Sequence, residues 1–477
     1  MSVRVRYAPS PTGNFHIGGV RTALYNYLYA KSVGGTFVLR IEDTDAQRSK
    51  REYEDLQVNG LKWLGIEHDE GPDKPGDYGP YRQSERLSIY KKVTNDLIDQ
   101  RKAYYCFCTD EEITRKKELA AAQKIDPHYD GTCRHISKED ALKRIAKGEQ
   151  AAVRFLVPPK SYAFVDKVKG EVIFPENMVG DFVLLRSSGL PVYNYACVVD
   201  DWMMKISHVI RGEDHVGNTL RQLMIYEALG VKPPVFAHVS LIIGSDRQKL
   251  SKRHGATSLA SYQELSYLPE SILNYMCLLG WSHPEEKTIF DLQEAVRVFS
   301  LDRFVKSPAM FDNEKFKWTN GQHLRNFSEE RLVRELSNVL PKNHKFFEYD
   351  DVHKMLVVRI FKDKVELIGE MVPMLDRIFD PAIDQTPEMD EINSWESTPQ
   401  IKDFMKKELS LMIARGKEFV TIDEVAKWME DLKQNLKIKG KPLFMGLRGV
   451  LTGSAHGADV KELVSLTPIN VLRARVG

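Results

Sequence analysis

Two stretches far apart in the chain carry residue types that handle a polyphosphate. Pro9-Ser10-Pro11-Thr12-Gly13-Asn14-Phe15-His16-Ile17-Gly18-Gly19 sets a histidine and paired glycines at the start of an apolar periodic segment, and Lys249-Leu250-Ser251-Lys252-Arg253 supplies closely spaced cations. Glycine admits close backbone approach to a phosphate or purine. A helix beginning near Gly18 turns its positive end toward an anion, and lysines neutralise the charge of a departing polyphosphate. A lone His-x-Gly-Gly is more often an ordinary turn, and a lone Lys-x-x-Lys a charged surface loop. Together, in this order, they point to a nucleoside triphosphate, with ATP the natural tenant.

Three of the five cysteines form a second pattern. Cys106-Phe107-Cys108 and Cys133-Arg134-His135, with twenty-four residues between Cys108 and Cys133, offer three thiolates and one imidazole. That is a closed tetrahedral donor set for a structural zinc ion, which would stabilise a small segment with little core of its own. Cys197 and Cys277 are assigned to packing.

Arg6 lies in Val3-Arg4-Val5-Arg6-Tyr7, where apolar and charged residues alternate as in a strand. It could face solvent. An inward arginine would need a partner, and Arg40-Ile41-Glu42-Asp43-Thr44-Asp45, at the close of the next apolar run, offers acids.

The elements that must position these groups are legible around them. The first strand breaks at the prolines of the opening motif. Val20, Ala23, Leu24, Tyr27 and Leu28 recur at helical spacing, Gly34-Gly35 supplies a stop, and Phe37-Val38-Leu39-Arg40-Ile41 reads as a strand. Strand, loop, helix and strand make the βαβ unit of a parallel nucleotide-binding sheet, whose crevice lies at the strands' carboxyl ends. From about Tyr104 to Arg186 the pattern is irregular, as in an insertion containing short strands such as Ala152 to Val157. Sheet character returns at Phe182 to Leu185 and His208 to Asp214, so two discontinuous segments complete the sheet. Beyond about Asn326 strands nearly vanish. Phe361, Val365, Ile368, Val372, Leu375 and Phe379 keep helical spacing, as does Ile422 to Leu436, which predicts an α-helical bundle.

A chain of 477 residues, 42% hydrophobic and 28% charged, is too long for one core and predicts three or more packed units. A net charge of +1 neither demands nor excludes RNA, since positive potential can be confined to one face. No apolar run approaches the ~20 residues that span a bilayer, and the N-terminus lacks a signal-peptide pattern. The cytoplasm is the expected compartment.

The two phosphate motifs resemble the signature sequences of class I aminoacyl-tRNA synthetases. The segments Ala8 to Gly13, Arg40 to Asp45, Gly79 to Arg86, Val198-Val199-Asp200-Asp201, Val209 to Asp214 and Leu451-Thr452-Gly453-Ser454 narrow the resemblance to the glutamyl branch, bacterial type, and extend it over nearly the whole chain. Gly19 departs from the general class pattern, which has a second histidine there.

The resemblance implies an α/β fold: a Rossmann-type parallel sheet carrying an inserted α+β acceptor-binding domain, followed by an all-α anticodon-binding region. Its expected divisions are 1–103 and 187–250 for the two halves of the catalytic domain, 104–186 for the zinc-bearing insertion, 251–325 for the lysine loop and stem-contact domain, and 326–477 for the helical domain. The implied reaction joins L-glutamate to tRNA(Glu) through a glutamyl-adenylate, consuming ATP with Mg²⁺, in a monomer. His16, Lys249 and Lys252 would be catalytic. Pro9, Thr12, His16, Gly18, Gly19, Glu213, Asp214, Lys249, Ser251 and Lys252 would bind ATP. Arg6 and Tyr193 would hold the side-chain carboxylate, Arg211 a substrate carboxylate, and Glu42 with Ser10 and Ala8 the ammonium; Cys197 also falls among the glutamate positions. Zinc would sit on Cys106, Cys108, Cys133 and His135. Other readings are an enzyme that also charges tRNA(Gln), a shorter paralogue that modifies a queuosine base, a nucleotidylyltransferase that never touches RNA, and an inert RNA-binding module.

Overall fold

In the computed structural model, residues 2–45, 47–124, 128–251, 253, 255 and 257–477 are described. Lys252 lies outside them. The chain divides into two compact units, Met1–Glu264 with Pro269–Asn313 and Leu265–Leu268 with Glu314–Gly477.

In the first unit, β1 (Arg4–Tyr7) runs parallel to β2 (Thr36–Leu39), with Arg6 opposite Val38. Between them α1 (Ile17–Ser32) starts at His16, whose Nδ1 accepts from Gly18 N at 3.1 Å and caps the helix. The loop before it contains the two prolines and cannot extend the strand. An antiparallel three-stranded sheet follows, β3 (Ala103–Cys106), β4 (Ala152–Phe155) and, after the hairpin β5 (Tyr162–Asp166) and β6 (Gly170–Phe174), β7 (Val183–Leu185), in the order β3-β4-β7. With the helices Asp110–Ala122 and Lys138–Ala146 it makes the expected α+β insertion.

The parallel sheet resumes as β8 (His208–Gly212) paired with β9 (Val235–Val239), Arg211 opposite His238. The two parallel pairs adjoin where Ser207, just before β8, donates its N–H to Arg4 O at 2.9 Å. The chain thus runs outward from β1 to β2 on one side and from β8 to β9 on the other, and the crevice opens at this switch point. Val5, Val38, Leu39, Val209 and Ile210 are buried, as expected for a parallel sheet covered on both faces.

The second unit is helical among its described residues. Leu332, Leu336, Val357, Phe361 and Leu375 form one apolar cluster, and Ile401, Met405, Val425, Trp428, Leu447 and Leu472 another. The periodicity from Phe361 to Phe379 does not mark one helix. Asp351–Phe361 ends there, 3₁₀ turns cover Lys362–Lys364 and Ile368–Glu370, and a new helix spans Met371–Phe379. Pro373 stands in the first turn of this new helix, where its missing N–H is tolerated. The helix Ile422–Asn435 agrees with expectation and begins with a Thr421–Glu424 capping box. Among the described residues no helix is long and apolar enough to cross a membrane.

Candidate active site

A cavity of about 520 Å³ opens at the carboxyl ends of β1 and β8. Arg6, Ala8, Ser10, His16, Gly18, Gly19, Glu42, Tyr193, Arg211, Asp214 and Lys249, all expected at the site, line it together. Pro9, Thr12, Cys197, Glu213 and Ser251 are not on its wall. Pro9 supports it, its carbonyl accepting from Glu42 N at 2.9 Å, while Glu213 accepts from Leu241 N at 2.9 Å and pairs with Lys169.

Beneath one wall lies a buried charge network that draws on three of the sequence motifs. Asp201 Oδ1 is 3.1 Å from Arg6 Nε and 2.6 Å from Arg40 Nη1, and Arg40 Nη2 is 2.9 Å from Glu42 Oε1. Asp200 accepts from Arg86 Nε at 2.7 Å, Gln83 Nε2 at 2.8 Å and Tyr90 Oη at 2.8 Å. Arginines 6, 40 and 86 therefore meet Glu42, Asp200 and Asp201, and charges that would be costly singly are paired. Cys197 is packed among them, its Sγ 3.7 Å from Arg40 Nη2, and burial pushes its thiol up to about 12. Burial also raises the Glu42 carboxyl against the pull of Arg40, so an arriving cation would favour its ionised form.

Arg211 has no acid in this sense. Its Nη2 donates to Thr219 Oγ1 and Gln222 Oε1, both at 2.8 Å, and its Nε to His238 Nε2 at 3.1 Å. Its Nη1 is buried with no hydrogen-bond partner, and no ion pair joins it among the described residues. A buried guanidinium ringed by neutral groups at a cavity wall has the chemistry to receive a carboxylate. Beside it Tyr193 Oη is 3.0 Å from His215 Nδ1, and burial with Arg211 pushes His215 down to about 4, which keeps that ring neutral.

The opposite end suits a phosphate chain. His16 is lowered by burial and by Lys249, and Lys249 Nζ lies 2.9 Å from Asp214 Oδ2. Leu259 N bonds Phe15 O at 2.8 Å and Ile17 N bonds Thr257 O at 2.9 Å, which ties the segment after the lysine motif to the histidine motif. Gly19 is required by space: a Cβ there would lie 2.6 Å from Tyr7 Oη and 3.2 Å from the Phe15 ring.

A profile described as the catalytic domain of class I tRNA synthetases (E and Q) matches residues 2–318, and one described as an anticodon binding domain matches residues 284–476. This chain belongs to the class I tRNA synthetases of the E and Q group. The glutamate--tRNA ligase of Bdellovibrio bacteriovorus is 44% identical over 99% of this chain and 97% of its own, and glutamate--tRNA ligase 2 of Caldanaerobacter subterraneus 43% over 97% and 96%. The crystal structure of a glutamate tRNA ligase from Elizabethkingia meningosepticum in complex with its amino acid superposes with a TM-score of 0.90 at 32% identity, covering 100% of this chain and 98% of that one.

In this synthetase the insertion gathers the thiols of Cys106, Cys108 and Cys133 within 4.8 Å of one another. His135, expected as the fourth ligand, is outside that group and exposed, within a turn closed by Ile136 N to Cys133 O. The neighbour the sequence did not signal is Tyr129. Its Oη lies 3.4 Å from both Cys106 Sγ and Cys108 Sγ and accepts from Cys133 N at 3.1 Å. Burial opposes ionisation of Cys106, but its hydrogen bonds with Tyr129 and Arg154 outweigh it and lower that thiol; burial and the Cys106 charge push Cys108 up to about 11. Three converging thiols beside a phenol fit a divalent soft-ligand ion, which would hold them as thiolates.

Proposed function

We infer that the protein ligates L-glutamate to tRNA(Glu), using ATP and releasing AMP and pyrophosphate. One observation carries the reading: Arg211, buried without an acidic partner, shares a cavity with Arg6 and with the His16 and Lys249 end. Glutamate presents two carboxylates and one ammonium, and the wall offers the guanidinium groups of Arg6 and Arg211 with the carboxyl of Glu42. Arg6 and Tyr193 take the side-chain carboxylate, Arg211 anchors a substrate carboxylate, and Glu42 with Ser10 and Ala8 receives the ammonium.

ATP enters as its Mg²⁺ complex along Gly18 and Gly19. The α-carboxylate attacks the α-phosphorus in line and pyrophosphate leaves, so the protein supplies alignment and charge rather than a nucleophile. His16 and Lys249, joined by Lys252 from the same motif, stabilise the charge on the departing phosphates. The 2′ hydroxyl of the terminal adenosine then attacks the adenylate carbonyl, and AMP departs.

We assign 1–103 and 187–250 to the catalytic sheet, 104–186 to acceptor-stem binding, 251–325 to stem contact and 326–477 to the anticodon. Cys106, Cys108, Cys133 and Tyr129 would hold a structural zinc ion. The protein acts as a monomer in the cytoplasm. Charging purified tRNA(Glu) and tRNA(Gln) separately with radiolabelled glutamate tests the reading: esterification of tRNA(Glu) alone is expected, charging of both would make the enzyme relaxed, and charging of neither would overturn it.

A further inference from the structure

Arg211 is held from behind by a chain that begins in the inserted hairpin. Asp166, the last residue of β5 and only 1% exposed, places Oδ2 2.6 Å from Nδ1 of the fully buried His238 on β9. His238 Nε2 receives Arg211 Nε at 3.1 Å. An ionised carboxylate only accepts and a guanidinium only donates, so the ring must carry its proton on Nδ1 and turn a lone pair to Arg211. Asp166 is itself fixed by N–H donors from Val168 at 2.8 Å, Lys169 at 2.9 Å and His238 at 3.1 Å. The hairpin turn is also tied to the sheet through Lys167 N to Phe236 O at 2.9 Å and through the Lys169–Glu213 ion pair.

We propose that Asp166 and His238 are positioning residues for glutamate recognition: Asp166 fixes the ring of His238, and His238 fixes the Arg211 fork with Nη1 left free for a substrate carboxylate. Through them the inserted hairpin governs the amino-acid pocket. Neither residue touches substrate. A neutral acceptor suits this place better than an acid, because an acid beside Arg211 would compete with the incoming carboxylate.

This rests on the glutamate reading, and the charging assay separates the two. If the full-length wild-type chain fails to charge tRNA(Glu) with glutamate, the reading itself is lost. If it charges, the variants decide the proposal. His238→Leu should raise KM for glutamate roughly 10- to 100-fold, the weight of a charge-assisted bond, while leaving KM for ATP near wild type. Asp166→Asn, nearly isosteric, should raise it by about fivefold or more. The double variant should be no worse than His238→Leu alone, since Asp166 acts through the ring. Unchanged glutamate KM in Asp166→Asn, equal shifts for both substrates, or additive losses in the double variant would each overturn the proposal.

Discussion

Asp201 holds Arg6 at 3.1 Å from Oδ1 to Nε, with side chains only 3% and 4% exposed. The pair joins β1 to the helix Tyr193–Met203, and Arg40 shares the same carboxylate oxygen. Asp201→Asn removes a buried negative charge between two arginines and should cost about 3–5 kcal/mol in urea unfolding. Burial alone would raise the Asp201 carboxyl, but Arg6 and Arg40 outweigh it and keep it below its ordinary value. Its stabilising contribution is therefore complete above the unfolded value of about 3.9 and is lost as pH falls through the lower folded value. The acid limb of the stability curve should flatten in the variant; an unchanged limb would show that the pair does not contribute.

Arg211→Lys tests the carboxylate site directly. One ammonium cannot serve His238, Thr219, Gln222 and a substrate at once, whereas the guanidinium divides its donors among them. KM for glutamate should rise by about 100-fold, the equivalent of roughly 3 kcal/mol of charge-assisted bonding, with KM for ATP almost unchanged. Loss of ATP binding in equal measure would assign Arg211 to the fold.

What the sequence discloses about this site is what lies close together along the chain. The prolines, His16 and the helical run after Gly19 locate the loop at the end of β1, and Arg211 is the fourth of the five residues of β8, next to the strand's carboxyl end. The Arg6–Asp201 pair spans 195 residues, and no local pattern couples them. Asp200 and Asp201 sit on a helix, where their acids resemble ordinary solvated charges, yet both are buried. Tyr129 was hidden for a different reason: an aromatic residue four positions before Cys133 has no spacing signature as a ligand, while His135 has one. From Phe361 to Phe379 the spacing discloses the helical bundle but not where one helix ends and the next begins, because two helices joined by 3₁₀ turns keep their apolar faces on one core.

Gly19 should resist even a methyl group. Its Cβ would strike Tyr7 Oη and the Phe15 ring, and both aromatics are buried, so neither can swing away freely. Gly19→Ala should lose about 1–3 kcal/mol in thermal or urea unfolding. Tyr7→Phe removes the nearer obstacle, and Gly19→Ala placed in that background should cost measurably less. Equal losses in the two backgrounds would mean that Tyr7 does not set the requirement for glycine.

The insertion offers the sharpest contrast between chain spacing and space. His135 stands two residues after Cys133, as a ligand should, but it is exposed and outside the thiol group; Tyr129 is against the thiols. Protein purified without chelator should carry one zinc per chain by metal analysis. Cys106→Ser should abolish it, because two remaining thiols and a phenol no longer close a tetrahedral set. His135→Ala should retain the metal at wild-type stoichiometry. Tyr129→Phe keeps the ring and removes only the oxygen, so zinc affinity should fall by roughly 10-fold or more, the usual scale for disturbing a site's immediate support. The reverse result, zinc lost from His135→Ala and kept in Tyr129→Phe, would restore the histidine and require the turn after Cys133 to refold around the metal.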